Sequence, residues 1–304
     1  MMSLLETEGS TGILDTPDIN LIYGPAGIGK TTWACSFPDV AILDAEKGSK
    51  HINVKKRFDK LPDLETLRKY ISSFRNDVHS FQTLVIDSTE AVETLIIDQI
   101  CNREKCETIE KAMGGFGKGF TNSREIMTEI MHDLRDITEQ RGMTVNLVGH
   151  SQEKQFTDPL DGSSYNRYTL RTNDKMTSII FDLSDNVYFA SRKVFVNEVG
   201  NKSVGVSDGK PTLCTIWRPS AYAKNRIPGI ASEISMDNYQ IYADAKKNAK
   251  LDINSLRAEL LVMAKGISDT TTAKAAIEKI NSAPTLEELT KIKNRLSQVI
   301  KQVA

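Results

Sequence analysis

The sequence predicts an α/β protein: a mostly parallel central sheet flanked by helices, an antiparallel extension at one edge, and a small C-terminal helical module. Three observations carry this. Short apolar runs at 19–23, 40–44, 83–87 and 144–149 alternate with amphipathic stretches, the pattern of strands covered by helices on both faces. A glycine-rich segment with a lysine follows the first run directly, so a strand turns tightly into a helix. After residue 178, and again from about residue 250, the side-chain pattern changes character.

The elements follow in order. Asn20-Leu21-Ile22-Tyr23 has the apolar, branched character of a buried strand, and the TTWACSF that follows the glycines is helix-compatible. VAILD, TLVID and TVNLVG supply further strands. Helices are expected at 63–76, at 89–110 with Val92, Leu95, Ile96 and Ile100 at helical spacing, and at 122–140 with Ile126, Ile130, Leu134 and Ile137. IIFDLSDNVYFASRKVFV (179–196) and TLCTIWRP (212–219) read as antiparallel strands, being rich in β-branched and aromatic residues between Gly, Asn and Asp turns. Three helical segments then fill 251–304, the last starting at Pro284–Glu288 and striped by Leu286, Leu289, Ile292, Leu296 and Ile300. The domains expected are a core at 1–240, a Lys-rich linker at 241–250 and the module at 251–304.

A net charge of −1 offers no global attraction to nucleic acid, so any such binding needs a local patch. The four cysteines have no C-x-x-C spacing, and no signal peptide or membrane-length apolar run is visible, which makes the cytoplasm the default compartment. Cys101 and Cys106, five apart in an expected helix, would not share a face.

The chemistry lies after the first strand. Gly24, Gly29, Lys30 and Thr31 fit G-x-x-x-x-G-K-[ST], in which backbone N–H groups and a helix start face a polyphosphate. The binding set is Gly24, Pro25, Ala26, Gly27, Ile28, Gly29, Lys30, Thr31 and Thr32, with Lys30 on the outer phosphates of ATP and Thr31 on Mg2+. Asp87, ending TLVID, is the second magnesium-side residue. Position 88 is Ser rather than Glu, so a hydrolytic base must come from elsewhere. Glu46, just past the preceding strand, lies at the same sheet edge and can polarise a water, or is a solvated strand-end acid.

GPAGIGKTT, LDAEKG, TLVIDS, a polar residue after LVG and a late AKNR occur in the order seen in RecA-type recombinases and DnaB-type hexameric helicases, and DAE followed by IDS looks most like RecA. GGFGKGF, VGHSQEK and KNRIPG resemble phage-encoded nucleotide-binding proteins that include the Sak group of single-strand annealing proteins. The resemblance covers roughly 15–230 and omits the C-terminal module. It implies a RecA-like P-loop core, Glu46 as base, and His150 as the strand-end sensor of the γ-phosphate. RecA has glutamine at that position, so Gln152 is the alternative. It further implies that Lys224 and Arg226 reach a neighbouring subunit's nucleotide, making the protein a homo-oligomer, ring or filament; the plainer alternative is a solvated basic turn before Pro228-Gly229.

The group places DNA-contacting loops at Lys111–Phe120, where Lys118 stands, and at 152–175, where Lys154, Phe156, Arg167, Tyr168, Arg171 and Lys175 stand. Cations interleaved with aromatics suit single strands, because phosphates attract the cations and rings stack on any base. A β-hairpin with a solvated tip is the competing reading of the second segment. The expected function is therefore ATP-driven single-stranded DNA binding and annealing or recombination, in a host cytoplasm, with the tail docking a single-strand binding protein or recombination partner. A helicase or loader motor and a small-molecule phosphotransferase are the rivals.

Overall fold

The computed structural model describes residues 16–199, 202–267, 270–283, 288–289 and 291–296. They divide into two units, one of residues 16–226 with 231–241, the other of 227–230 with the chain from Tyr242 onward.

The larger unit holds one sheet. In chain order its elements are β1 (Ile19–Gly24), α1 (Lys30–Ala34), β2 (Val40–Asp44), β3 (Lys56–Phe58), α2 (Leu64–Asn76), β4 (Thr83–Asp87) and α3 (Thr89–Glu104). Then follow α4 (Lys118–Arg141), β5 (Thr144–Thr157), β6 (Ser164–Leu170), α5 (Asp174–Leu183), β7 (Asn186–Val199), β8 (Lys202–Cys214) and β9 (Glu233–Ser235). The strand order is β3-β2-β4-β5-β1-β7-β8-β9, with β6 paired to the outer half of β5. Every pairing from β3 across to β7 is parallel, whereas β8 and β9 add on antiparallel. This is the predicted mostly parallel sheet with an antiparallel edge. Strands β1, β2 and β4 are buried along their whole length, as a sheet covered on both faces requires.

The register brings the functional ends level. Gly24 lies opposite His150, Asp44 opposite Asp87, and Asp87 opposite Val148. Three fully buried asparagines help to pin that register: Asn186 Nδ2 donates to Asn20 Oδ1 and Asn20 Nδ2 to Asn146 Oδ1, each at 2.9 Å. Asn146 Nδ2 in turn donates to the Ala34 carbonyl at 3.0 Å, tying α1 to the sheet. Each buried amide thereby has a partner, as burial demands.

Several expected boundaries move. Residues 179–183, read as strand, end helix α5 instead; Asn173 caps it by accepting from the Met176 N–H at 3.1 Å, and Met176, Ile179 and Ile180 bury a helical face. Helix α3 stops at Glu104 rather than 110, because Lys105 adopts a left-handed conformation at φ 51°. The chain turns back there, and the Cys106 N–H donates to the Cys101 carbonyl at 3.0 Å, so the two cysteines adjoin despite their spacing. Burial first, and then the neighbouring Cys106 thiol, push the Cys101 thiol up. Helix α4 starts at Lys118 behind a left-handed Gly117.

The smaller unit contains most of α6 (Gln240–Lys265) and α7 (Thr270–Ser282). Residues 241–250, read as a linker, are helical within α6; the segment has no Pro or Gly to interrupt it. Ile253, Leu260, Ala264, Ile280, Ala283, Leu289 and Leu296 form this unit's own core. Of the last expected helix, the start at 284–287 and Ile300 lie outside the described residues. No helix among the described residues is long and apolar enough to cross a membrane.

Candidate nucleotide site

Strand β1 delivers the chain to the phosphate loop at Gly24. A side chain there would meet the Ala190 carbonyl oxygen at 2.5 Å, so glycine is required by the approach of β7. Gly29, at φ 106°, makes the left-handed step that starts α1. Trp33, buried on the far side of α1, holds the helix down: its Nε1 donates to the Asn238 carbonyl at 3.1 Å and its ring packs edge-on against Phe37 and Tyr188.

The loop's functional side chains converge. Lys30 is only 5% exposed and donates to the carbonyls of Gly24 at 3.0 Å and Pro25 at 2.8 Å. Burial draws its pKa down, while the carboxylates of Asp87, Glu90 and Glu46 oppose that shift. Thr31 Oγ1 donates to Asp87 Oδ2 at 2.7 Å. Burial pushes the Asp87 carboxyl up to about 6, against the Thr31 hydrogen bond and with help from the charge of Glu46.

Glu46 is placed by a turn that Asp44 organises. Buried Asp44 accepts from the N–H groups of Gly48 and Ser49 at 3.1 and 3.0 Å and from Ser49 Oγ at 2.5 Å. Arg57 closes the same turn by donating to Ser49 Oγ and to the carbonyls of Ser49 and Ile52. Glu46 then accepts from Ser88 Oγ.

A cavity of about 360 Å³ results, lined by Gly27, Gly29, Lys30, Thr31, Thr32, Glu46, Gly48, His51, Ile52, Asp87, Val148 and His150. Within the phosphate loop, Pro25 and Ala26 are exposed at the tip and the Ile28 side chain is buried in the core, so Ile28 has only its backbone to offer a ligand. Residues present fit the implied group. A hydroxyl beside a carboxylate is a hard-cation donor pair, and an ammonium held by two carbonyls has bonds to exchange for phosphate oxygens.

The two sensor candidates separate. His150 lines the cavity, whereas Gln152 turns aside to donate to the Leu170 and Thr172 carbonyls. Lys224 and Arg226 stand at the other end of β1 and β7, away from their own chain's cavity. The Lys224 backbone pairs with Val187 in both directions, and Arg226 Nη1 bonds Asp185 Oδ1 at 3.2 Å.

Within the 152–175 segment residues 152–170 form the β5–β6 hairpin, with 171–175 leading into α5, and the hairpin's faces sort the expected contacts. Lys154 pairs with Arg167 and Phe156 with Tyr165, so these four share one face, and Arg167 lies over the Phe156 ring at 4.1 Å. Tyr168 is on the opposite face, stacked on Phe189 against the core, and cannot present its ring with them. Lys154 is paired with Asp174. Lys175 donates to Thr121 Oγ1 at 2.7 Å and so ties α5 to α4. Arg171 and Lys118 are exposed. Beside Lys118 the chain presents Phe116, 99% exposed, on a run of left-handed residues from Met113 to Gly117.

Sequence reasoning missed His51, Ile52, Ser88 and Glu90 at or behind the cavity, and Trp217, whose ring is 5.3 Å from the Arg167 guanidinium. Ser88 stands in TLVIDS but was given no role there, and the other four belong to no spaced motif. Only folding brings them in.

No curated protein matches the chain. Among solved structures, one described as the RadB recombinase is similar at 15% identity and a TM-score of 0.35, over 66% of this chain and 80% of that one. Residues 17–227 match the family AAA_24, described as "AAA domain", and with that match spanning the phosphate loop, Asp87 and the whole parallel sheet, the chain belongs to this family of P-loop ATPases.

Proposed function

We propose that the protein is a Mg2+-dependent ATPase that binds single-stranded DNA and promotes annealing or recombination as a homo-oligomer. The carrying observation is the convergence of Lys30, the bonded pair Thr31 and Asp87, Glu46 and His150 on one cavity.

On this reading Lys30 and the loop amides hold the triphosphate. Thr31 and Asp87 would hold the magnesium, whose charge would neutralise that of the phosphates. Glu46, oriented by Ser88, accepts a proton from the attacking water. His150, midway along β5, reports the γ-phosphate to the hairpin formed by the outer half of the same strand. The exposed hairpin face, where Arg167 lies against Phe156, Tyr165 and Trp217, offers single strands a stacking platform with a cation. Lys224 and Arg226, remote from their own cavity, act on the nucleotide of the next subunit. The C-terminal unit docks a single-strand binding protein or a recombination partner.

The test is ATP turnover with and without single-stranded DNA, run beside strand-annealing and unwinding assays. Stimulation by DNA and annealing without unwinding are expected, and both should vanish in Lys30→Ala. Turnover of a small phosphate acceptor without DNA, or unwinding, would replace this reading with one of its rivals.

A further inference from the structure

Behind the phosphate cradle, three side chains from three elements face one another: Glu46 after β2, Glu90 in the first turn of α3, and His150 on β5. Their ligating atoms all lie within 4.8 Å of one another. His150 Nδ1 is 3.7 Å from Glu90 Oε2 and 3.9 Å from Glu46 Oε1. Those separations are too long for hydrogen bonds. Nδ1 is buried and has no hydrogen-bond partner.

An orphaned ring nitrogen aimed between two carboxylates is costly unless something sits between them. A metal ion about 2.1 Å from each ligand atom separates neighbouring ligands by roughly 3–4 Å, the spacing found here after small side-chain rotations. We infer that Glu46, Glu90 and His150 form a second divalent-cation site, distinct from the Thr31–Asp87 pair, that takes a first-row transition ion such as Mn2+ or Zn2+.

The donor set gives the ion's class. Two oxygens and an imidazole nitrogen suit Mn2+, Co2+ or Zn2+, whereas Mg2+ prefers oxygen ligands alone and gives up its waters reluctantly. The second sphere is already built. The backbone N–H of His150 donates to Glu90 Oε1 at 2.6 Å and Thr89 Oγ1 to Oε2 at 3.3 Å, which leaves Oε2 a lone pair for the ion, and Ser88 Oγ holds Glu46. Glu46 and His150 also line the phosphate cavity while Glu90 backs them, so the remaining coordination positions open toward it. If Glu46 is the hydrolytic base, as proposed above, occupancy engages its carboxylate and slows turnover at constant Mg2+.

Binding of Mn2+ to the full-length, nucleotide-free chain, followed by electron paramagnetic resonance in millimolar Mg2+, tests the site without calling on hydrolysis. One Mn2+ per chain is expected to resist the magnesium, with echo modulation from a directly bound imidazole nitrogen. His150→Ala should abolish that modulation, and Glu90→Gln, which keeps the acceptor for the His150 N–H, should weaken Mn2+ at least tenfold. Thr31→Ala should leave both intact. Thermal melts of each variant identify any that fail to fold. The proposal is overturned if wild-type protein holds no magnesium-resistant Mn2+, or if folded His150→Ala retains the nitrogen signature. Failure of nucleotide binding in a protein that passes this test would sink the ATPase reading and leave the metal site standing.

Discussion

Thr31 Oγ1 and Asp87 Oδ2, 56 residues apart in sequence, share a 2.7 Å hydrogen bond, and both residues line the cavity at the phosphate loop. The bond is possible because β1 and β4, separated only by β5, end within two residues of one another, β1 opposite His150 and β4 opposite Val148. On the proposed reading it would pre-position a hydroxyl and a carboxylate as neighbouring ligands for one magnesium ion.

Thr31→Ala therefore removes the hydroxyl proposed to hold the ion and leaves the loop amides and Lys30 in place. Affinity for a fluorescent ATP analogue should fall about tenfold or more in Mg2+, roughly 1.4 kcal/mol, and change little in EDTA. Equal loss in both buffers would mean that the hydroxyl serves the loop and not the ion.

Asn146→Ala cuts the chain of buried amides that joins β7, β1, β5 and α1. It strands the Asn20 donor and the Ala34 carbonyl in a dry sheet, at a cost of roughly 1–3 kcal/mol. Urea denaturation should show the midpoint moving down with its slope unchanged.

Glu93, half-buried, accepts from the backbone N–H and side chain of Asn173 at 2.8 and 2.6 Å, yet burial raises its carboxyl above the ordinary glutamate range. The sign follows from which form the fold favours. A raised folded-state pKa favours the protonated form, so its contribution is full below the unfolded value near 4.3 and is lost as pH rises through the raised one. Glu93→Gln keeps the acceptor and cannot ionise. Its melting temperature relative to wild type should climb across that mildly acidic window; a flat difference from pH 4 to pH 7 would contradict the shift.

Arg226 is two-thirds exposed in its side chain and touches Asp185, which keeps its bonds to Arg135 and to the Ile19 N–H without it. Arg226→Ala should thus fold normally, bind nucleotide as wild type does, and lose 10²-fold or more in turnover if it acts across an interface. Mixing it with Lys30→Ala, each inactive alone, should restore part of the activity, since mixed interfaces would pair an intact cradle with an intact arginine. No recovery from assembled mixtures would remove the role in trans.

Much of this was legible in the linear chain. The strand, the glycines and the Lys30-Thr31 pair sit within a dozen residues, so local backbone demands and ligand chemistry write them together. Asp87 was legible because an acid ending an apolar run must surface at the sheet's rim. The helix boundaries failed where single residues decide them: Asn173 capping α5, and Lys105 taking a left-handed turn that ends α3.

By itself, then, the sequence determined the layered α/β class, the phosphate cradle and the two strand-end acids Glu46 and Asp87, since short-range periodicity and turn chemistry suffice for those. Only the tertiary structure decided that His150 rather than Gln152 faces the cavity, that Tyr168 turns inward from its hairpin, and that Glu46, Glu90 and His150 meet. The site contacts depend on the register and order of β2, β4, β5 and β1, and the facing of Tyr168 on the β5–β6 register, which strand pairing sets and no local pattern encodes.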